Sequence, residues 1–175
     1  MEEGRRSGVK WNLKKLSSGE RVALKRAAGS LEYNAPALRA YYRAIENAPV
    51  SWQIAYAAMC MACLWKEENI GRILPMEECL RLLVEDEAAG DSMAHRIEGM
   101  MELNWSEDGF LLGKLLNLVR IIQSRHPEVY PDFMKLADDL NRWNQDDHVV
   151  QRRWLWVIFA QRKDEEKETE GGTQS

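Results

Sequence analysis

Residues 17–29 read SSGERVALKRAAG, and this stretch decides the fold class. Ser17 stands three residues before Glu20, the spacing at which a hydroxyl caps the N3 amide and the N3 carboxylate returns the bond. The helix it opens runs to about Ala28 and stops at Gly29, a residue free to take positive φ. Val22, Ala23, Ala27 and Leu31 form its expected apolar side, which leaves Lys25 and Arg26 facing solvent.

The same grammar recurs downstream. Asn34, with Pro36 in the first turn, opens a second helix that ends before Pro49. Ser51 opens a third, from Trp52 to about Lys66, alanine-rich and apolar on most faces, as a central helix would be. Pro75 starts a fourth that reaches about Glu87, and Asp91 caps a fifth over residues 92–103. Ser106 starts a sixth that stops at His126-Pro127, because the residue before proline disfavours helix. Pro131 starts a seventh, and an eighth runs from about Asp147 to Gln161. Strand signals do not recur. The expectation is an all-α fold of about eight helices in two small bundles, residues 1–72 and 73–163, with a disordered tail at 164–175.

The 175 residues are 45% hydrophobic and 30% charged, the composition of a globular chain. No apolar run is long enough to span a bilayer, and no apolar h-region stands near Met1. Three cysteines do not make a secreted disulfide framework, so the expected compartment is cytoplasmic.

Catalysis finds no footing. Cys60-Met61-Ala62-Cys63 lies inside an apolar helix without a second ligand pair, where cysteine packs as a small hydrophobe, and Cys79 reads alike. His95, His126 and His148 lack metal-binding spacing, and no phosphate-loop or nucleophile-elbow motif occurs. Asp138-Asp139 and Asp146-Asp147 diverge around a helix and read as solvated faces or caps. No enzyme activity, cofactor or metal is expected. Trp52, Trp65, Trp143 and Trp154 fall on apolar faces and read as core, while Trp11, Trp105 and Trp156 are candidates for an interface.

The net charge of −4 hides segregation. Residues 1–30 carry eight Lys/Arg against three acids; residues 77–109 carry ten acids against two bases. Residues 110–126 hold three bases and no acid, and residues 149–160 hold two bases and no acid. The cations of these basic stretches, Arg21, Lys25, Arg26, Lys114, Arg120, Arg152 and Arg153, read either as solubilising charge or, as a set, as phosphate contacts.

Five segments taken in order resemble one family. Residues 16–27, LSSGERVALKRA, resemble the opening helix of CasB proteins, the small subunit of the type I-E CRISPR Cascade complex. Residues 37–42, ALRAYY, fit the family's following segment, and residues 95–101, HRIEGMM, its mid-chain arginine element. Residues 136–143, LADDLNRW, with residues 150–159, VQRRWLWVIF, resemble its C-terminal pattern. Gly113-Lys114 stands where relatives tend to carry two arginines.

The resemblance implies a non-catalytic helical subunit present in two copies, docked on the backbone and large subunits of a crRNA-guided complex. It implies contacts to crRNA and target DNA that stabilise the R-loop, chiefly by holding the displaced strand. By resemblance, Lys25, Arg26, Arg96, Lys114 and Arg152 fall on or near basic family positions; Arg21, Arg120 and Arg153 join them by local clustering. The competing reading is a helical protein-interaction or regulatory module that binds no nucleic acid.

Overall fold

The computed structural model describes residues 8–86 and 90–160. The tail at 164–175 lies outside the described residues. Among the described residues, eight α-helices follow one another: α1 (Ser18–Ala27), α2 (Ala35–Ala44), α3 (Trp52–Ala62), α4 (Met76–Glu85), α5 (Gly90–Met101), α6 (Phe110–Arg125), α7 (Phe133–Asn141) and α8 (Val149–Leu155). A π-helical turn, Trp156–Ala160, continues α8. The fold is all-α in class.

Three caps read from sequence are in place. Ser17 Oγ accepts from Glu20 N at 3.1 Å while Glu20 Oε1 accepts from Ser17 N at 3.0 Å, closing both arms of the capping box. Asn34 and Ser51 cap α2 and α3 through side-chain oxygens. Two starts move. Helix α6 begins at Phe110, not Ser106, because Gly109 at φ 78° and the Asp108 carboxylate, which accepts from Phe110 N, form a turn first. Helix α7 is capped by Asp132, which accepts from Lys135 N, while Pro131 belongs to a strand.

Short strands are the feature that the sequence did not signal. β1 (Lys10–Trp11) pairs antiparallel with β2 (Ile45–Asn47), and β3 (Arg72–Leu74) pairs parallel with β4 (Val129–Pro131). Gly71 permits the second pairing: a Cβ there would lie 2.1 Å from the Glu128 carbonyl oxygen.

Helix α3 is the centre, buried from Ile54 to Ala62, and packs on α1, α6 and α7. The buried residues form one cluster from Val9 to Ile158. Trp65, Tyr130 and Phe133 pack edge-on or tilted at 5.5–5.7 Å, and Trp143 meets Trp154 at 5.2 Å. Two tryptophan readings change. Trp11 is buried, since β1 carries it inward, whereas Trp52, in the first turn of α3, is 45% exposed. On α1 the buried positions are Leu24 and Ala27, and Val22 is exposed.

Candidate functional site

Helix α6 is the ridge beside which four of the eight sequence-selected cations, Lys25, Arg96, Lys114 and Arg120, gather. At one flank, Gly29 (φ 87°) closes α1 so tightly that an added Cβ would lie 2.4 Å from Leu116 Cδ2. Lys25, one turn earlier, lines a cleft of about 480 Å³ with Lys66 and Gln123 among its walls. Leu116, Arg120 and Gln123 recur at four and then three residues along α6, so Arg120 stands on this flank. Lys25, Arg26 and Arg120 are exposed.

The other flank faces α5. Arg96 and His95 from α5 and Lys114 and Asn117 from α6 line a groove of about 640 Å³ whose floor includes Leu118. Arg96 and Lys114 lie eighteen residues apart in sequence, and the contact of α5 with α6 brings them to one groove. Among the described residues, Lys25, Arg26, Arg96, Lys114, Arg120 and Arg152 have no ion-pair partner. Unpaired, exposed cations can neutralise an anionic ligand without first breaking an internal pair. Arg152 is exposed on α8 and lines neither cleft.

Two of the eight selected cations serve the fold. Arg21 donates through Nη2 to the Leu13 carbonyl at 2.9 Å and lies 3.6 Å from Glu67 Oε2, so it ties α1 to two loops. Arg153 places Nη2 2.6 Å from Asp139 Oδ2 and Nε 3.7 Å from Glu77 Oε1, two buried carboxylates. Trp154 Nε1 donates to Asp139 Oδ2 at 3.0 Å, and Lys135 Nζ donates to Glu77 Oε1 at 2.9 Å. This network joins α4, α7 and α8.

It also corrects the reading of Asp138-Asp139 as a solvated face. Asp139 is buried, and Asp138 accepts from Val9 N at 3.2 Å, fastening the N-terminal segment to α7. Burial pushes the Asp138 carboxyl above the usual carboxylate range.

Sequence reasoning missed Lys66, which tertiary packing brings beside Lys25, and passed over His95 and Asn117 as groove residues, although they stand one residue from Arg96 and three from Lys114. It also missed Arg39 and Arg43, four apart on α2, which share a cleft with the first turn of α1. Their spacing was the available signal. Arg43 is held there by Glu20 Oε1 at 2.6 Å.

The cysteines are inert. Cys60, Cys63 and Cys79 are free and buried, and burial pushes their thiols up to about 12, about 11 and about 12. Among the described residues, no group of three or more His, Cys, Asp or Glu could hold a metal ion. No helix among them is long and apolar enough to cross a membrane.

Fold and surface together define a helical protein with unpaired cations along two flanks of one helix. The chain belongs to the CRISPR-associated protein Cse2 family, whose model matches residues 20–156. Its fold is similar to a chain of a CRISPR RNA-guided surveillance complex, with a TM-score of 0.65 at 20% identity, covering 87% of this chain and 88% of that one. It is also similar to M. ruber CasB, with a TM-score of 0.66 at 15% identity over 88% of this chain and 91% of that one. No curated protein sequence matches it significantly.

Proposed function

We propose that this chain is a non-catalytic structural subunit of a crRNA-guided Cascade complex, where its exposed cations hold nucleic-acid backbone and stabilise the R-loop. Membership of the Cse2 family, matched over residues 20–156, carries this reading. The partners are the backbone and large subunits, a second copy of the chain, crRNA and target DNA, within the cytoplasm.

The physical logic supports the role. Exchange of a DNA duplex for an RNA–DNA hybrid is nearly balanced in energy, so a few phosphate contacts to the displaced strand tip it. Such contacts require lysine and arginine at the surface and no base readout. Lys25, Arg26, Arg96, Lys114, Arg120 and Arg152 are exposed and suit that task. Arg21 and Arg153 support it by holding α1 and α8 in place.

The test is binding of the full-length chain to single-stranded DNA as salt is varied. Each neutralised phosphate contributes about −0.7 to the slope of log affinity against log salt, so six cations set a limit of roughly −4. A measurable negative slope within that limit, without sequence preference, is the expected result. Retention that ignores salt contradicts the reading.

A second reading has its own observation. Tyr42, Trp52 and Trp156 are exposed by 64%, 45% and 57%, and aromatic residues are enriched where proteins meet. A protein-interaction module without nucleic acid would use these side chains and show no binding to DNA at low salt.

A further inference from the structure

The groove between α5 and α6 contains a glycine that this chain does not itself require. Gly99 sits inside α5, is exposed and lines the groove, and an added Cβ there would meet no atom within 4 Å. Its φ is not positive, so no backbone conformation demands glycine either. Glycine is the least favourable residue in a helix interior after proline. Gly71 and Gly29 differ in kind, since each lies against Glu128 or Leu116 of this chain.

The missing side chain at Gly99 shapes the groove. His95 and Arg96 stand four and three residues before it on the same face of α5, and Lys114 and Asn117 face them from α6. Below this polar rim, Leu103, Leu118 and Ile121 form an apolar floor. A cationic rim over an apolar floor matches a nucleotide, which has a charged phosphodiester on one side and a sugar and base face on the other. Glu98, the nearest acid on α5, is turned to His95 Nδ1 at 3.5 Å and leaves Arg96 unpaired among the described residues.

We infer that the α5–α6 groove seats one segment of single-stranded nucleic acid, its phosphodiester between Arg96 and Lys114 and its sugar and base face in the gap left by Gly99. The inference rests on the nucleic-acid reading above and adds a place and a shape to it. It also predicts opposite effects on folding and on binding from one substitution. A side chain at Gly99 improves the helix and fills the groove.

The experiment compares the full-length chain with Gly99→Ala, Gly99→Leu and Arg96→Ala/Lys114→Ala, using a fluorescein-labelled oligothymidylate at low salt and a thermal melt. Gly99→Ala should raise the thermal midpoint by up to about 2 °C, less than a mid-helix glycine would give because Gly99 stands in the last turn of α5. Gly99→Leu should stay folded and lose roughly tenfold in affinity, the contacts of one nucleotide, with Gly99→Ala between it and the parent. The Arg96/Lys114 variant should lose affinity to a similar degree.

If Gly99→Leu binds as the parent does while the Arg96/Lys114 variant loses affinity, the strand crosses the rim without entering, and the groove inference falls while the nucleic-acid reading stands. If neither variant loses affinity and the parent binds without salt dependence, both fall. If Gly99→Leu binds the oligonucleotide normally but fails to join the assembled complex, the occupant is protein and the inference is overturned.

Discussion

Replacing Arg153 by alanine should cost stability, whereas the same change at its neighbour Arg152 should not. Arg153 Nη2 lies 2.6 Å from Asp139 Oδ2, and Asp139 is 2% exposed. Without the guanidinium, Asp139 keeps the Trp154 Nε1 bond and the more distant Arg142 Nη2 at 3.9 Å. Breaking a fully buried ion pair costs about 3–5 kcal/mol. The Arg153 side chain is 36% exposed, so water reaches the site and reduces this to about 2 kcal/mol.

For a chain of this size about 1 kcal/mol moves the midpoint by 2–4 °C, so Arg153→Ala should melt about 4–8 °C below the parent. Arg152 touches no partner among the described residues, and Arg152→Ala should stay within about 0.5 kcal/mol. Calorimetry or circular dichroism melts of both variants, with Asp139→Asn and the Arg153→Ala/Asp139→Asn double variant, close a cycle that isolates the pair. Arg153→Ala melting within about 1 °C of the parent would refute the assignment of this residue to the fold.

Asp138 provides a test by pH. Burial raises its carboxyl above the ordinary range in the folded chain, so folding favours its protonated form. The stability it contributes is present in full below the ordinary carboxylate value of about 4 and is lost as pH rises through the raised one. Asp138→Asn should therefore melt with the parent near about pH 3 and above it at about pH 7, and equal midpoints at both would contradict this. The thiols give a chemical test: at about pH 8, iodoacetamide should modify none of Cys60, Cys63 and Cys79 in the folded protein and all three after denaturation. Alkylation of the native protein at any of them would show that the core admits solvent there.

The helical plan was legible because its signals are local. The Ser17–Glu20 capping box, the Asn34 and Ser51 caps and the Gly29 stop each lie within a few residues of the terminus they define. The start of α6 was misread because Ser106 suits a cap, whereas the residue that caps the helix is Gly109, through its positive φ and without a side-chain bond. The strands were illegible for another reason. Segments of two or three residues carry no alternation, and β3 finds β4 across more than fifty residues of chain.

The cations divide along the same line. Arg152 and Arg153 are adjacent in sequence, and only the arrival of Asp139 and Glu77 from α7 and α4 commits one of them to holding the fold. Arg96 and Lys114 were selected singly by resemblance, and the packing of α5 on α6 supplies the groove between them. The tryptophans follow suit: helical spacing placed Trp143 and Trp154 in the core, but an end position exposes Trp52 despite its apolar neighbours.

The claim that this chain holds nucleic acid within a surveillance complex is tested most directly by R-loop formation. Complexes assembled with the parent chain or with Lys25→Glu/Arg26→Glu should be compared on linear and on negatively supercoiled target DNA. Lys25 and Arg26 are exposed and make no ion pair among the described residues, so the variant should fold and assemble as the parent does. The account predicts a less stable R-loop on linear DNA and a smaller defect on supercoiled DNA, where opening the duplex costs less. A variant complex that assembles normally and forms R-loops on linear DNA as stably as the parent would contradict it.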